Sequence, residues 1–104
     1  MSEEPPGGQA RLEDLRKEIE ALDDEIVRLI AQRTRLAGEA RAAKAEAGLP
    51  LFDPAREAAV VRRVAKVARA EGLPDEPVRE LFWRLIGLSR SVQAGQADER
   101  SMGG

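Results

Sequence analysis

Apolar residues recur along the chain at spacings of three and four, and two Gly/Pro breaks divide that pattern into three runs. Gly48 and Pro50 make the first break, and Gly72 to Pro74 the second. The runs so bounded are 11–47, 53–71 and 75–93. Each is rich in Ala, Leu, Arg, Glu and Lys and poor in β-branched polar and aromatic residues, so helix is the expected state of all three. No stretch alternates with the period of two that a strand requires. Pro5 to Gly8 open the chain and the Gly- and Ala-containing run from Ala94 closes it, so residues 1–10 and 94–104 read as flexible tails around a domain at 11–93.

The first run carries the longest stripe. Leu12, Leu15, Ile19, Leu22, Ile26, Leu29, Arg33, Leu36, Ala40 and Ala43 keep coiled-coil spacing, with Arg33 as the single charged interruption. A helix over this run is about 55 Å long at 1.5 Å per residue. A compact domain of this length has a radius of gyration of only about 13 Å, so one chain has too little mass to cover the stripe. Either a second copy packs along it or the apolar face lies exposed; a homodimer of an all-α, three-helix protomer is the expected answer.

The second and third helices have clear boundaries. Asp53 is placed to cap the second helix, with Pro54 in its first turn and Gly72 as its left-handed exit. Val60, Val61, Val64, Val67 and Ala68 form its expected apolar face. The third begins near Asp75, tolerates Pro77 in its first turn, and carries Val78, Leu81, Phe82, Leu85, Leu88 and Val92 as its stripe.

Composition narrows the chemistry. The 104 residues include no His and no Cys, and 17 basic residues oppose 19 acidic ones. That excludes thiol nucleophiles, thiolate metal sites and histidine-based acid–base catalysis. The slightly acidic balance, with only Phe52, Phe82 and Trp83 as aromatics, argues against nucleic-acid binding. No apolar run is long enough to span a membrane and the N-terminus lacks the pattern of a signal peptide, so a cytoplasmic location is expected. Any site has to be built from Arg, Lys, carboxylates, hydroxyls and amides.

Polar side chains on or beside the apolar stripes are the candidates. Arg33 occupies a seam position, where an unpaired cation is costly; it serves either as one half of an ion pair or as a fixed cation for an anionic ligand. Lys44 follows eleven residues later, close to three turns, and so points to nearly the same side. Arg16 lies seventeen residues before Arg33, about 25 Å along a helix, and would share a small ligand with it only across a dimer. Asp53, Arg56 and Glu57 cluster at the start of the second helix, and Ser89 and Gln93 lie one turn apart on the third. Singly, each has an ordinary explanation: a cap, a solvated face, a back-bonded hydroxyl, a frayed end.

In order along the chain they make a pattern. The run L-R-x-x-I-x-x-L-D-x-x-I-x-x-L-I-x-x-R from Leu15-Arg16 to Arg33, then Lys44, then D-x-x-R-E at Asp53, Arg56 and Glu57, then L-F-x-x-L-I-x-x-S-x-x-x-Q from Leu81 to Gln93 resembles the all-helical (AroQ-type) chorismate mutases. The resemblance covers nearly all of residues 11–93 and implies a three-helix protomer intertwined as a homodimer, converting chorismate to prephenate on the way to phenylalanine and tyrosine without metal or organic cofactor. It implies that Arg33 and the partner chain's Arg16 clamp the two substrate carboxylates. Lys44 and Gln93 would donate to the ether oxygen, and Glu57, supported by Asp53, would accept from the ring hydroxyl. Arg56 and Ser89 would complete the wall. Two other readings remain at this stage: an isochorismate–pyruvate lyase on the same scaffold, disfavoured by the intact Asp53-Arg56-Glu57 element, and a non-catalytic helical dimerisation or regulatory module, free-standing or detached from a larger enzyme.

Overall fold

The computed structural model describes residues 7–103, with side chains through residue 96. Residues 1–6 and 104, which belong to the expected tails, lie outside the described residues. Three helices follow one another: α1 at Gly8–Glu46, α2 at Pro54–Ala70 and α3 at Asp75–Gly103. There is no strand among the described residues, and no helix is long and apolar enough to cross a membrane. The all-α expectation holds. Two helix ends differ from the sequence reading: α1 starts at Gly8 rather than Arg11, and α3 runs on to Gly103 rather than ending at Gln93. Past Gln93, Ala94, Gln96, Ala97, Glu99 and Arg100 are good helix formers, and Gly95 alone is too small a penalty to stop a helix already propagating.

The chain divides into two compact units, Met1–Gln32 and Arg33–Gly104, with α1 contributing to both. From Gly8 onward the first unit is a single amphipathic helix. Its apolar stripe is uncovered, with Leu12, Leu15, Ile19, Leu22, Ile26 and Leu29 all exposed, Leu22 by 63%.

The second unit holds the core. α2 and α3 pack as a helical hairpin joined by Glu71–Pro74. Asp53 caps α2 by accepting the Arg56 N–H at 3.0 Å. Both α1 and α2 end in the same motif. Gly48 and Gly72 take φ of 70° and 76°, and the following residue reaches back, Leu49 N to Lys44 O at 2.9 Å and Leu73 N to Ala68 O at 2.8 Å. These bonds satisfy terminal carbonyls, and a β-carbon at either glycine would be strained. Asp75 clasps the turn, bonded to Arg69 at 2.7 Å and to Arg79 at 3.5 Å.

The buried residues are Val61, Val64, Ala65, Ala68 and Ile86, together with Ser89. This corrects the two expected faces. On α2, Val67 is 51% exposed while Ala65 is fully buried, so the contact stripe is 61, 64, 65 and 68. Small residues let helix axes approach closely, and Ala65 and Ala68 sit where they do. On α3, Leu81, Leu88 and Val92 are exposed and Ile86 and Ser89 take the inward positions.

Candidate active site

A cavity of about 600 Å³ opens within the Arg33–Gly104 unit. α1 presents Arg33, Leu36, Ala37, Ala40, Arg41 and Lys44 to it, a single face at intervals of three and four. Arg56, Glu57, Val60 and Arg63 line it from α2, and Phe82, Ile86, Ser89, Arg90 and Gln93 from α3. Leu51 and Phe52, in the connection before α2, complete the wall. The size suits a small molecule.

Its electrostatics are lopsided. Among the described residues, six basic side chains line the cavity (Arg33, Arg41, Lys44, Arg56, Arg63 and Arg90) and one acidic one, Glu57, in a chain whose overall charge is −2. Glu57 is taken by Arg90, whose Nη2 donates to Glu57 Oε2. The Arg90 guanidinium lies over the Phe52 ring, 5.2 Å from its centroid. That leaves five cations around the cavity without an ion pair among the described residues. Arg33, half-buried, stands 5.8 Å from the Phe82 ring centroid; the aromatic face rather than a carboxylate steadies it. Like charges gathered in a shielded space repel, and a polyanionic ligand relieves that repulsion.

Ser89 is the second telling group. It is 5% exposed, lines the cavity, and its hydroxyl finds no hydrogen-bond partner among the described residues. A back-bond to its own helix, the ordinary explanation, is absent. Buried hydroxyls are normally satisfied, so one left open on a cavity wall is available to a ligand or to water. Gln93 is half-buried, and its Nε2 lies 3.8 Å from where a β-carbon on Gly38 would sit. It stands in the middle of α3 rather than at a fraying end.

A family model described as chorismate mutase type II matches residues 15–94. The chain belongs to that family. The chorismate mutase of Methanocaldococcus jannaschii is 29% identical over 89 residues, covering 86% of this chain and 90% of that protein. The T-protein of Enterobacter agglomerans is 32% identical over 77 residues, but this chain spans only 21% of its length. Among solved structures, the form II chorismate mutase of Thermus thermophilus superposes with a TM-score of 0.69 at 34% identity, covering 81% of this chain and 94% of that one.

Of the eight residues singled out from the family pattern, Arg33, Lys44, Arg56, Glu57, Ser89 and Gln93 converge on the cavity. Asp53 does not line it; its carboxylate is occupied as the α2 cap, one turn before Glu57. Arg16 belongs to the other unit and is exposed. Sequence reasoning missed Arg41, Arg63 and Arg90. Arg41 had a signal, since it falls eight residues after Arg33 on the same helical face. Arg90 had none, because its partner Glu57 is 33 residues away on another helix.

Proposed function

We propose that this chain catalyses the rearrangement of chorismate to prephenate, and that it does so in the cytoplasm as a step toward phenylalanine and tyrosine. The observation that carries the reading is the cationic cavity with its open, buried Ser89 hydroxyl. Chorismate is a dicarboxylate, and its [3,3] rearrangement is unimolecular. An ether C–O bond breaks as a C–C bond forms within one molecule, with no proton transferred and no covalent intermediate. What such a reaction needs is a folded, chair-like substrate conformer and donors where negative charge develops, at the ether oxygen. Permanent cations and neutral amides supply both.

In this mechanism Arg33 binds one carboxylate, aided by Arg56 and by the hydroxyl of Ser89. Lys44 and the Gln93 amide donate to the ether oxygen, and Lys44 also touches a carboxylate. Glu57 accepts from the ring hydroxyl, with Asp53 holding the start of α2 beneath it. The remaining clamp is Arg16 of a second copy, since the functional unit is a homodimer. Support for the dimer comes from the uncovered stripe on α1 and from charge. Residues 7–32 carry seven acidic and four basic side chains, whereas residues 33–96 carry twelve basic and eight acidic ones, so the first half of one copy complements the cavity-bearing part of another.

The test is direct. The purified chain, incubated separately with chorismate and with isochorismate, is expected to form prephenate from the first. Release of pyruvate from isochorismate with no prephenate from chorismate would establish the lyase instead. Inertness toward both would leave a binding module.

A further inference from the structure

We infer that Arg90 is a positioning residue for Glu57, fixing which carboxylate oxygen faces the ligand and so setting selectivity for a hydroxyl-bearing substrate. The inference rests on the mutase reading of the cavity. Glu57 is the only acidic side chain lining it among the described residues, and it stands among six cations. Arg56 adjoins it in sequence and Arg63 follows less than two turns on, so an unrestrained carboxylate would have several partners to choose from. Arg90 removes the choice. It takes Oε2 alone, which leaves Oε1 available to accept from a ligand.

Arg90 is in turn held in place. Its guanidinium lies over the Phe52 ring at 5.2 Å, so α3 and the connection before α2 together determine where the fork points. The Arg90 side chain is half exposed while that of Glu57 is only 20% exposed. Ion pairs open to solvent on one side contribute little to stability, so the pair is better explained by the orientation it imposes than by holding the hairpin together. A hydroxyl donor is recognised in substrate and transition state alike, and losing such recognition raises KM more than it lowers kcat.

The experiment is a double-mutant cycle of Arg90→Ala and Glu57→Gln, read by chorismate turnover, with Arg90→Lys as the conservative variant and thermal melts as the folding control. Arg90→Ala is expected to raise KM about tenfold, as for a lost hydrogen bond to a charged group, with kcat changed less than about threefold. In the Glu57→Gln background the same substitution is expected to add less than about twofold, because the carboxylate it orients is gone. Arg90→Lys should recover part of the loss. Equal costs in both backgrounds would overturn the proposal, because Arg90 would then act on the substrate directly; an unchanged KM would overturn it too. If Arg90→Ala fails to fold, Arg90→Lys and Phe52→Leu enter the same cycle with the same criteria. A parent chain inert toward chorismate refutes the mutase reading rather than this pairing. A crystal structure of the unliganded chain then reads the pairing directly, and an Arg90 fork turned away from Glu57 there overturns the pairing as well.

Discussion

Lys44 is where the individual side chain has the most to do. It is half-buried near the end of α1, on the same cavity-facing stripe as Arg33, and it pairs with no carboxylate among the described residues. On the proposed mechanism, replacing it with Ala removes a donor aimed at the developing charge, and a loss of about 3 kcal/mol, or about a hundredfold in kcat, is expected. Circular dichroism and melting temperature should be nearly those of the parent, since Lys44 lies outside the buried set. Gln93 makes a different prediction. A neutral amide donates whatever the pH, so kcat should stay level from about pH 6 to 8. Gln93→Glu donates only when protonated, and its kcat should fall as pH rises across that range; a pH profile of both proteins decides. These two residues, with Arg33, Arg56, Glu57 and Ser89, were legible in sequence because each is a polar side chain on or beside an apolar stripe and together they follow the order of the chorismate mutase pattern. Arg90 was illegible for the opposite reason: an arginine on a helix exposed to water is ordinary, and only the tertiary fold brings it to Glu57.

At the scale of elements, punctuation in the sequence was reliable and the direction of the helix faces was not. Gly48, Asp53, Pro54 and Gly72 end and start helices by local chemistry that does not depend on the rest of the fold. The burial of Ala65 rather than Val67 depends on how closely α2 approaches α3, which apolar spacing alone does not encode. Ala65→Leu should therefore cost about 1–3 kcal/mol through overpacking, whereas Val67→Ala at its exposed position should cost about 0.5 kcal/mol or less, as denaturant melts would show. The α2–α3 turn also carries a pH dependence. The hydrogen bond from Arg69, with the nearby Arg79 charge, holds the Asp75 carboxyl below its ordinary value of 3.8. A carboxyl whose pKa is depressed on folding stabilises the fold above its unfolded value and loses that contribution as pH falls through the folded one. The melting-temperature gap between the parent and Asp75→Asn should thus be open at pH 7 and should narrow as pH falls below about 4. A gap that does not narrow as the carboxyl protonates would show that the clasp works through shape rather than charge.

The whole molecule is the scale at which the sequence made its strongest demand, because ten residues of seam spacing on α1 outrun what a single chain is able to cover. In the isolated chain that demand is still open, with the α1 stripe exposed at Leu12, Leu15, Ile19, Leu22, Ile26, Leu29 and Leu36. Large contiguous apolar surface on a small protein marks an interface. Sedimentation should therefore give twice the chain mass, and charged substitutions at Leu22 and Ile26 should abolish activity and assembly together. A stricter prediction follows if Arg16 acts across the interface. Arg16→Ala homodimers lack the clamp in both sites, and Lys44→Ala homodimers lack the donor in both. In a hybrid, the site using Lys44 from the first variant receives Arg16 from the second and contains only parental groups, while the other site lacks both. Equal mixing with free exchange makes half the dimers hybrid, each with one intact site of two, so about a quarter of the parental activity should return. The readout is turnover against time after mixing two nearly inactive proteins, with exchange followed by mass. Recovery to that level requires a site shared between copies. Complete exchange with no recovery would mean that each chain builds its site alone, and that the apolar face of α1 is covered for a reason other than catalysis.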